Sequence, residues 1–261
     1  MGAGDAPLLF KSIILKILKC SVSLVNCRIN NMNKGIQKIF AEVPRTYELV
    51  NHVLTLGMDI VCRRKAARLA AEGGGIRWLD ACSGTGEMAA NLCRFSQNGT
   101  RIFAADFSLP MLKMAAQKKA AKEIRFIISD VRSLPFPDNS LDLITISFAT
   151  RNLNTNREAL IAHLTEFCRV LRPGGRFVNL ETSQPKYRLI RWIMHLYVKL
   201  SVRRIGAMIS GSKAGYAYLS QTVPRFYEAE EFADIIKQAG FGKVEFKRMF
   251  FGVIALHRGV K

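Results

Sequence analysis

An α/β fold with a doubly wound, mostly parallel sheet is the class that this sequence predicts, and three observations support it. Short apolar runs alternate with helical patterns between residues 76 and 181, a glycine-rich turn follows the first run, and three runs end at or near an aspartate. Strands and helices that alternate at this spacing form parallel sheets with right-handed crossovers. At 261 residues, 49% of them hydrophobic, the chain can build one large domain with a full core.

Five apolar runs predict strands, and the segments between them predict helices. Strands are expected at residues 76–79, 101–105, 125–128, 141–148 and 176–181, and helices at residues 87–95, 110–122 and 157–171. The run at 141–148 is continuously apolar, as in a strand that is buried on both faces. Arg172-Pro173-Gly174-Gly175 predicts a turn after the third of these helices.

The C-terminal part departs from this alternation. Residues 182–227 contain no acidic residue and show only one long helical segment. Residues 228–240 predict a helix that closes in glycine. Residues 243–249 and 252–257 predict two strands that pair antiparallel at the edge of the sheet.

The most informative motif is the turn Asp80-Ala81-Cys82-Ser83-Gly84-Thr85-Gly86 between the first strand and the first helix. Glycines in such a turn allow the backbone to approach a nucleoside cofactor closely. The pattern Gly84-x-Gly86-x-x-Ala89 also satisfies the dinucleotide fingerprint. The motif alone therefore predicts a nucleoside cofactor and leaves its identity open.

Acidic side chains narrow the choice of cofactor. Asp80, Asp106 and Asp130 lie at or just beyond the ends of successive predicted strands, which is the edge where open α/β sheets bind ligands. A dinucleotide would use Asp106 on its ribose, but additional carboxylates would repel its pyrophosphate. S-adenosylmethionine has no phosphate and carries a sulfonium and an amino group, so it tolerates acids. Helix capping or turn formation is the alternative role for Asp80 and Asp130.

The net charge and the cysteine content limit the kinds of partner that the protein is expected to have. The formal net charge of +19 implies attraction to an anionic partner, such as nucleic acid, a membrane surface or an acidic protein. No surface of interleaved aromatic and basic residues is evident, so no nucleic-acid partner is expected. The six cysteines show no CxxC spacing, which predicts neither a metal site nor a disulfide framework and suits a cytoplasmic protein.

Two regions of the sequence suggest contact with a membrane. Lysines interrupt the apolar stretch at residues 8–29, which favours either a surface anchor or a start of the protein near Met32 over a spanning helix. Farther along, basic residues recur every three or four positions: Arg188, Arg191, His195, Lys199 and Arg203. This spacing predicts a cationic stripe on a helix that suits an anionic bilayer or a lid, with an ordinary core helix as the alternative.

Several segments together resemble the ubiquinone/menaquinone biosynthesis C-methyltransferases. They are Leu134-Pro135-Phe136-Pro137-Asp138-Asn139-Ser140-Leu141-Asp142, Ile146-Ser147-Phe148-Ala149-Thr150-Arg151-Asn152, Arg169-Val170-Leu171-Arg172-Pro173-Gly174-Gly175-Arg176 and Ala255-Leu256-His257-Arg258-Gly259-Val260-Lys261. The resemblance covers roughly residues 34–261, with Glu87 where that family commonly has Asp. It implies a Rossmann-like class I methyltransferase with a seven-stranded sheet, an antiparallel C-terminal hairpin and a helical lid.

The resemblance also implies an activity and a set of cofactor contacts. The implied reaction is S-adenosylmethionine-dependent conversion of demethylmenaquinol to menaquinol, by a peripheral membrane protein that acts on a lipid quinol. The alternative substrate is a ubiquinone-pathway benzoquinol or another lipid or phenol. Whether the protein forms a homodimer is left open. The implied cofactor contacts are Thr85, Asp106, Asp130, Val131 and Ser147, and the residue-level argument adds Asp80, Gly84 and Gly86.

Methylation of a quinol ring carbon sets requirements on the acceptor side. The ring hydroxyl must lose a proton, and the resulting negative charge needs a nearby cation or hydrogen-bond donor. Arg151 is predicted to supply that charge, as an orienting group and not as a base, because a guanidinium stays protonated. Tyr47 and His52 are predicted to contribute proton transfer. A structural ion pair for Arg151 and a packing role for His52 are the alternatives.

These predictions divide the chain into five regions. They are an N-terminal extension (1–31), a helical substrate-side region (32–75), a cofactor-binding core (76–181), a basic helical lid or membrane-facing insertion (182–227) and a C-terminal helix with hairpin (228–261).

Overall fold

The structure, a computed structural model, describes residues 44–202, 205 and 220–261, with side chains from residue 48 onward. The predictions for residues 1–31 and for Arg203 therefore lie outside the described residues.

Seven strands form one sheet in the order β3-β2-β1-β4-β5-β7-β6. The strands are β1 (Arg77–Ala81), β2 (Arg101–Asp106), β3 (Ile124–Ile128), β4 (Leu141–Ser147), β5 (Leu171–Thr182), β6 (Lys243–Met249) and β7 (Ile254–Val260). Neighbours among β1 to β5 pair in parallel, whereas β7 runs antiparallel to both β5 and β6. This topology confirms the predicted fold class and the C-terminal hairpin. The strand order reverses between β1 and β4, which creates the crevice where such sheets bind ligands.

Eight α-helices have both bounds within the described residues. They are α1 (Pro44–Leu54), α2 (Met58–Ala71), α3 (Glu87–Phe95), α4 (Leu109–Ala115), α5 (Thr150–Leu153), α6 (Arg157–Val170), α7 (Arg188–Tyr197) and α8 (Ala229–Gln238). Helix α3 has the predicted bounds, and α6 ends one residue before the predicted end.

Two predicted elements differ from the structure. The helix expected at 110–122 is divided, because Lys118 adopts an extended conformation (φ −71°, ψ 150°) and pairs with Glu48 on α1 at 2.5 Å before a 3-10 turn at Lys119–Glu123. The turn expected at Arg172-Pro173-Gly174-Gly175 is an irregular first part of β5. There the pairing with β4 shifts, and the Gly174 N–H donates to the Lys261 carbonyl at 2.9 Å.

Helices cover both faces of the sheet. On one face Trp78 of β1 packs with buried residues of α2 and α3, and on the other Leu79 packs with buried residues of α6 and α8. Successive residues of one strand therefore enter different hydrophobic clusters, as the alternation of side chains along a strand requires. The sheet is buried on both faces, which accounts for the continuously apolar strands in the sequence.

Helix α7 packs against α1 away from the main core. Val50 and Leu54 of α1 form a separate cluster with Met194, Val198 and Val202, on α7 and the turn that follows it. None of the described helices combines the length and apolar character that crossing a bilayer requires.

Candidate active site

A cavity of about 300 Å³ opens at the carboxyl ends of the central strands. Its wall includes the glycine turn from Cys82 to Thr85, the end of β2, the loop after β3 and the segment that follows β4. This volume lies at the lower end of the range for small-molecule sites. The cavity stands at the crevice where the strand order reverses.

Asp106 connects the end of β2 to the glycine turn. Its Oδ2 accepts a hydrogen bond from the Gly84 N–H at 2.8 Å, and its Oδ1 accepts one from the Ser108 N–H at 2.8 Å. Burial raises the pKa of this carboxyl to about 6, although the backbone hydrogen bonds oppose that shift. Asp106 lines the cavity, where its remaining lone pairs can accept hydrogen bonds from the hydroxyl groups of a ligand.

Glycine is required at one position of the turn on steric grounds. Gly86 has a φ of +80°, and a Cβ placed there would lie 2.9 Å from the Cβ of Ala115 on α4. Cys82 also has a positive φ of 51° and lines the cavity. Burial raises the pKa of its thiol far above the ordinary value, so the thiolate that a nucleophile needs is disfavoured.

Asp80 lies beneath the turn. Its Oδ2 accepts a hydrogen bond from the Ala89 N–H at 3.1 Å, and its Oδ1 accepts one from the Thr145 hydroxyl at 2.9 Å. It is fully buried and is not among the described residues that line the cavity. Burial raises the pKa of Asp80 to about 7. This geometry makes Asp80 a link between β1, β4 and the start of α3, and direct contact with a cofactor stays a prediction.

The other predicted cofactor residues divide between the two sides of the cavity. Thr85 and Ser147 line it near β1 and β4, and Asp130 and Val131 line it beyond β3. Asp130 accepts two hydrogen bonds from the guanidinium of Arg132, at 2.8 and 2.5 Å, so its charge is already neutralised by a cation.

The segment after β4 forms another part of the cavity wall. Arg151, predicted to stabilise the charge on the substrate with a structural ion pair as the alternative, is buried, and its Nη1 donates to Glu181 Oε1 at 2.8 Å and to the Phe148 carbonyl at 2.9 Å. It is not among the described residues that line the cavity. Asn152 does line it, and its buried Oδ1 has no hydrogen-bond partner within the described part of the chain.

A cluster of charged side chains joins α1, α2 and the start of α3. His52 contacts Asp59 through Nδ1 at 2.9 Å and Glu87 through Nε2 at 3.3 Å. Arg63 Nη1 lies 2.5 Å from Asp59 Oδ2 and 3.0 Å from Glu87 Oε2. Of the cluster only Arg63 and Glu87 reach the cavity. Tyr47 lies on α1, but its side chain is outside the described part.

Sequence reasoning missed Arg63 as a site residue. The spacing of Asp59 and Arg63 by four positions on α2 was the available signal, because such residues face each other on a helix. Pairing with Glu87 on α3 has no comparable local signal.

The same corner brings ligand atoms of Glu48, His52 and Glu87 close together. Each of them already has a partner: Lys118 for Glu48, Asp59 for His52 and Arg63 for Glu87. Each of the three side chains thus has a protein partner within the described residues.

Comparisons with known proteins agree with this geometry. The ubiE/COQ5 methyltransferase family matches residues 28–261. A protein of Desulfotalea psychrophila named ubiquinone/menaquinone biosynthesis C-methyltransferase UbiE is 34% identical over 95% of this chain and 100% of its own length. A demethylmenaquinone methyltransferase of Thermus thermophilus is 37% identical over 85% of this chain and 99% of its own.

A solved structure supports the fold independently. A SAM-dependent methyltransferase of Thermotoga maritima superimposes with a TM-score of 0.53 and 16% identity, over 83% of this chain and 99% of that chain. At this identity the likeness bears on the fold alone.

Proposed function

This chain belongs to the ubiE/COQ5 methyltransferase family, and from that premise we propose that it methylates a ring carbon of a demethylated isoprenoid quinol, converting demethylmenaquinol to menaquinol. The methyl donor is S-adenosylmethionine. When bound, the donor supplies the methyl group as an electrophile attached to a sulfonium.

One observation carries the proposal. The glycine turn with Asp106 and the segment from Ser147 to Leu153 line one and the same cavity. A donor held by the turn and an acceptor held by that segment would therefore share one space, as in-line transfer requires. Exclusion of water from this space would favour the transfer, because water solvates the phenolate and lowers its reactivity.

The described residues fit the donor. Asp106 supplies an acceptor for ribose hydroxyls, and Val131 supplies an apolar surface beyond β3 for a purine. Gly86 has no side chain, and a Cβ at this position would clash with Ala115, so the glycine allows the turn to approach α4 closely. Thr85 and Ser147 add polar groups near the middle of the cavity.

On the acceptor side we assign different roles to two neighbouring residues. Asn152 lines the cavity, and its buried amide oxygen has no hydrogen-bond partner among the described residues, so a turn of the side chain would let that oxygen accept a hydrogen bond from the substrate hydroxyl. Arg151 acts as a positioning residue, since its guanidinium joins the Phe148 carbonyl to Glu181. His52 and Tyr47 remain the proposed route for the proton that leaves the substrate. His52 is not among the described residues that line the cavity, so it would act through Glu87, which does line it and lies 3.3 Å from His52 Nε2.

We also propose that the protein meets its lipid substrate at a membrane surface, through an apolar patch on α7 and α1. Large apolar side chains are exposed on α7 (Leu189, Trp192, Ile193 and Leu196), on α1 (Leu49 and Val53) and in the turn after α1 (Leu56). Patches of this kind on one side of a protein are typical of interaction surfaces. Arg188 at the start of α7 and Lys199 in the turn after it are exposed and suit anionic headgroups.

A direct assay tests the proposed reaction. The protein is incubated with S-adenosylmethionine and, separately, with reduced demethylmenaquinone and with the reduced demethylated benzoquinone of the ubiquinone pathway. Mass spectrometry of the extracted lipid is expected to show one added methyl group on the naphthoquinol. Transfer to the benzoquinol alone would move the proposal to that substrate, and transfer to neither would contradict it.

A further inference from the structure

We propose that the turn between β6 and β7, residues 250–253, is a second membrane anchor, in which Phe250 and Phe251 enter the interfacial region of an anionic bilayer. The inference rests on the proposed function in one respect, since it takes a lipid surface as the partner. It goes beyond the apolar patch on α7 and α1 because it assigns contact with lipid to a different element of the fold.

Both aromatic side chains of this turn face solvent. Phe251 is 79% exposed and Phe250 is 37% exposed. Tyr187, the residue before α7, is 69% exposed as well. Exposed rings of this size contribute little to the hydrophobic core, whereas phenylalanine is typical of the apolar surfaces that enter the boundary between headgroups and acyl chains.

The backbone of the turn is strained at both phenylalanines. Phe250 and Phe251 have φ values of +48° and +57°, and Gly252 follows with +92°. A bulky residue is rarely found in this left-handed region, because its Cβ crowds the following carbonyl oxygen. A turn that served only to join two strands would favour glycine or asparagine at such positions. Strain of this kind is typical of functional positions.

Contacts with neighbouring elements enforce this conformation. The Val253 N–H donates to the Phe250 carbonyl at 3.1 Å, and the Ser183 N–H donates to the Val253 carbonyl at 2.8 Å. The Val253 side chain packs against the cluster that joins α1 and α7. The turn is therefore attached to the helices that carry the apolar patch, while its two phenylalanines stay exposed.

The turn lies at the edge of the sheet where the cavity opens. Ile254, the first residue of β7, pairs with Thr182 at the carboxyl end of β5. Gly252 lies against Pro185, since a Cβ at Gly252 would be 3.4 Å from the Pro185 Cα. The Pro185 carbonyl in turn accepts a hydrogen bond from Arg191 of α7 at 2.8 Å. Anchoring at this turn would hold the cavity close to the lipid that contains the quinol.

The charges beside the turn favour an anionic surface. Lys186 and Arg188 are exposed on either side of Tyr187. Glu230, at the start of α8, is paired with Arg248 of β6. Exposed cations next to exposed aromatic rings match a membrane that carries anionic lipid.

A tryptophan placed in the turn tests insertion directly. Phe251→Trp in a Trp192→Phe background leaves only Trp78 besides the new residue, and Trp78 is buried in the core. The vesicles contain phosphatidylglycerol and phosphatidylcholine, with bromine on either shallow or deep acyl carbons. Shallow bromines are expected to quench the emission of the new tryptophan at least about twofold, and deep bromines less, because interfacial elements enter only the headgroup and upper acyl region. Emission that neither lipid quenches would overturn the proposal.

Phe251→Asn separates anchoring from a structural role, because the two roles predict opposite changes in stability. Asparagine tolerates the left-handed region, so the melting temperature is expected to rise by about 2 °C. Sedimentation with the anionic vesicles is expected to weaken at least about tenfold, because apolar area is removed from the contact. Ile76→Asn is the matched control, since Ile76 is exposed at the amino end of β1, away from the cavity. It is expected to leave vesicle binding unchanged.

The possible outcomes distinguish the turn from the rest of the proposed function. If Phe251→Asn binds vesicles normally while Leu189→Ser with Ile193→Ser weakens binding, the turn is not an anchor and the patch stands. If Phe251→Asn lowers both the melting temperature and vesicle binding, Phe251 supports the fold and the proposal is overturned. A wild-type protein that binds no vesicles would overturn the turn and the patch together, whereas methyl transfer to the quinol in detergent tests the proposed reaction independently.

Discussion

At the residue scale, the carboxylate of Asp106 serves the fold and the proposed site together. Its two oxygens already accept the Gly84 and Ser108 N–H groups, which fixes the turn against the end of β2. A ribose would add further donors to the same oxygens. These backbone hydrogen bonds thus hold the Asp106 carboxylate in the position from which it can recognise a ligand.

Replacement of Asp106 is expected to weaken donor binding strongly. In Asp106→Ala both backbone N–H groups lose their acceptor and the ribose loses its own, so we expect the affinity for S-adenosylhomocysteine to fall about 30-fold or more. Calorimetric titration measures the change. Glu123→Ala, exposed at the opposite end of the sheet from the cavity, is the control. An unchanged affinity would contradict the ribose assignment.

Asp80 predicts a dependence of stability on pH. Its pKa is about 7 in the folded protein against an ordinary value of 3.8, because burial penalises the charged form. The folded state therefore binds this proton more tightly than the unfolded state. The contribution of Asp80 to the free energy of unfolding is therefore fully present below about pH 4 and is lost as the pH rises through about 7.

Asp80→Asn should remove this contribution while keeping an acceptor for the Ala89 N–H. We expect the free energy of unfolding of the variant, relative to the wild type, to rise between pH 5 and pH 8 by roughly 1–3 kcal/mol. Urea unfolding at a series of pH values gives the difference. A difference that stays constant across this range would show that Asp80 titrates normally in the folded protein.

At the scale of elements, the ion pair of Arg151 and Glu181 links α5 to β5. Both side chains are buried, and Glu181 also accepts the Thr182 N–H at 2.8 Å. Removal of one member leaves an uncompensated buried charge. The pair thus holds the segment that forms the acceptor wall of the cavity.

Arg151→Met is expected to lower the free energy of unfolding by about 3 kcal/mol, whereas the double variant with Glu181→Gln should recover most of that loss. If Arg151 positions the acceptor wall, the double variant folds and binds S-adenosylhomocysteine normally but transfers methyl slowly. Chemical unfolding, calorimetry and the transfer rate measure these three quantities. Full recovery of the transfer rate in the double variant would reduce Arg151 to a purely structural role.

Helix α7 differs from its predicted orientation. The basic residues do not face outward as one stripe, because Arg191 contacts Glu228 and the Pro185 carbonyl, and His195 contacts Gln184. Arg188 and Lys199 are exposed, and the surface between them is apolar. Helical spacing groups these residues correctly, but partners from other segments decide which of them turn inward.

At the scale of the whole molecule, a net charge of +19 and the apolar patch on α7 and α1 favour an anionic lipid surface. The chain contains two tryptophans: Trp192 in the patch is 61% exposed, and Trp78 in the core is 1% exposed. A change in fluorescence on contact with lipid would therefore report on Trp192.

Vesicles that contain anionic lipid are expected to shift the tryptophan emission of the protein to shorter wavelength. The protein is also expected to sediment together with these vesicles. Leu189→Ser with Ile193→Ser should weaken the association at least about tenfold, because apolar area is removed from the contact. Glu158→Gln, an exposed position on α6, serves as the control. Binding that the double variant leaves unchanged would contradict the assignment of the patch.

Most of the fold and part of the site could be predicted from the sequence. Strand order along the chain, the glycine turn and the acids at the ends of β1, β2 and β3 are visible as local patterns. The division of the helix at 110–122 was not predictable, because it accompanies the ion pair between Lys118 and Glu48 on α1. The sequence left a structural ion pair open for Arg151 but could not identify its partner, because Glu181 lies on another element.

The sequence by itself determined the α/β architecture and the glycine turn with its neighbouring acids, because periodicity and turn chemistry act over a few residues. Only the tertiary structure decided that Asp80 lies beneath the turn while Asp106 lines the cavity. It also brought Arg63 to Glu87. Such contacts join side chains from elements distant in the chain, and their geometry depends on how the helices pack on the sheet, which no local pattern encodes.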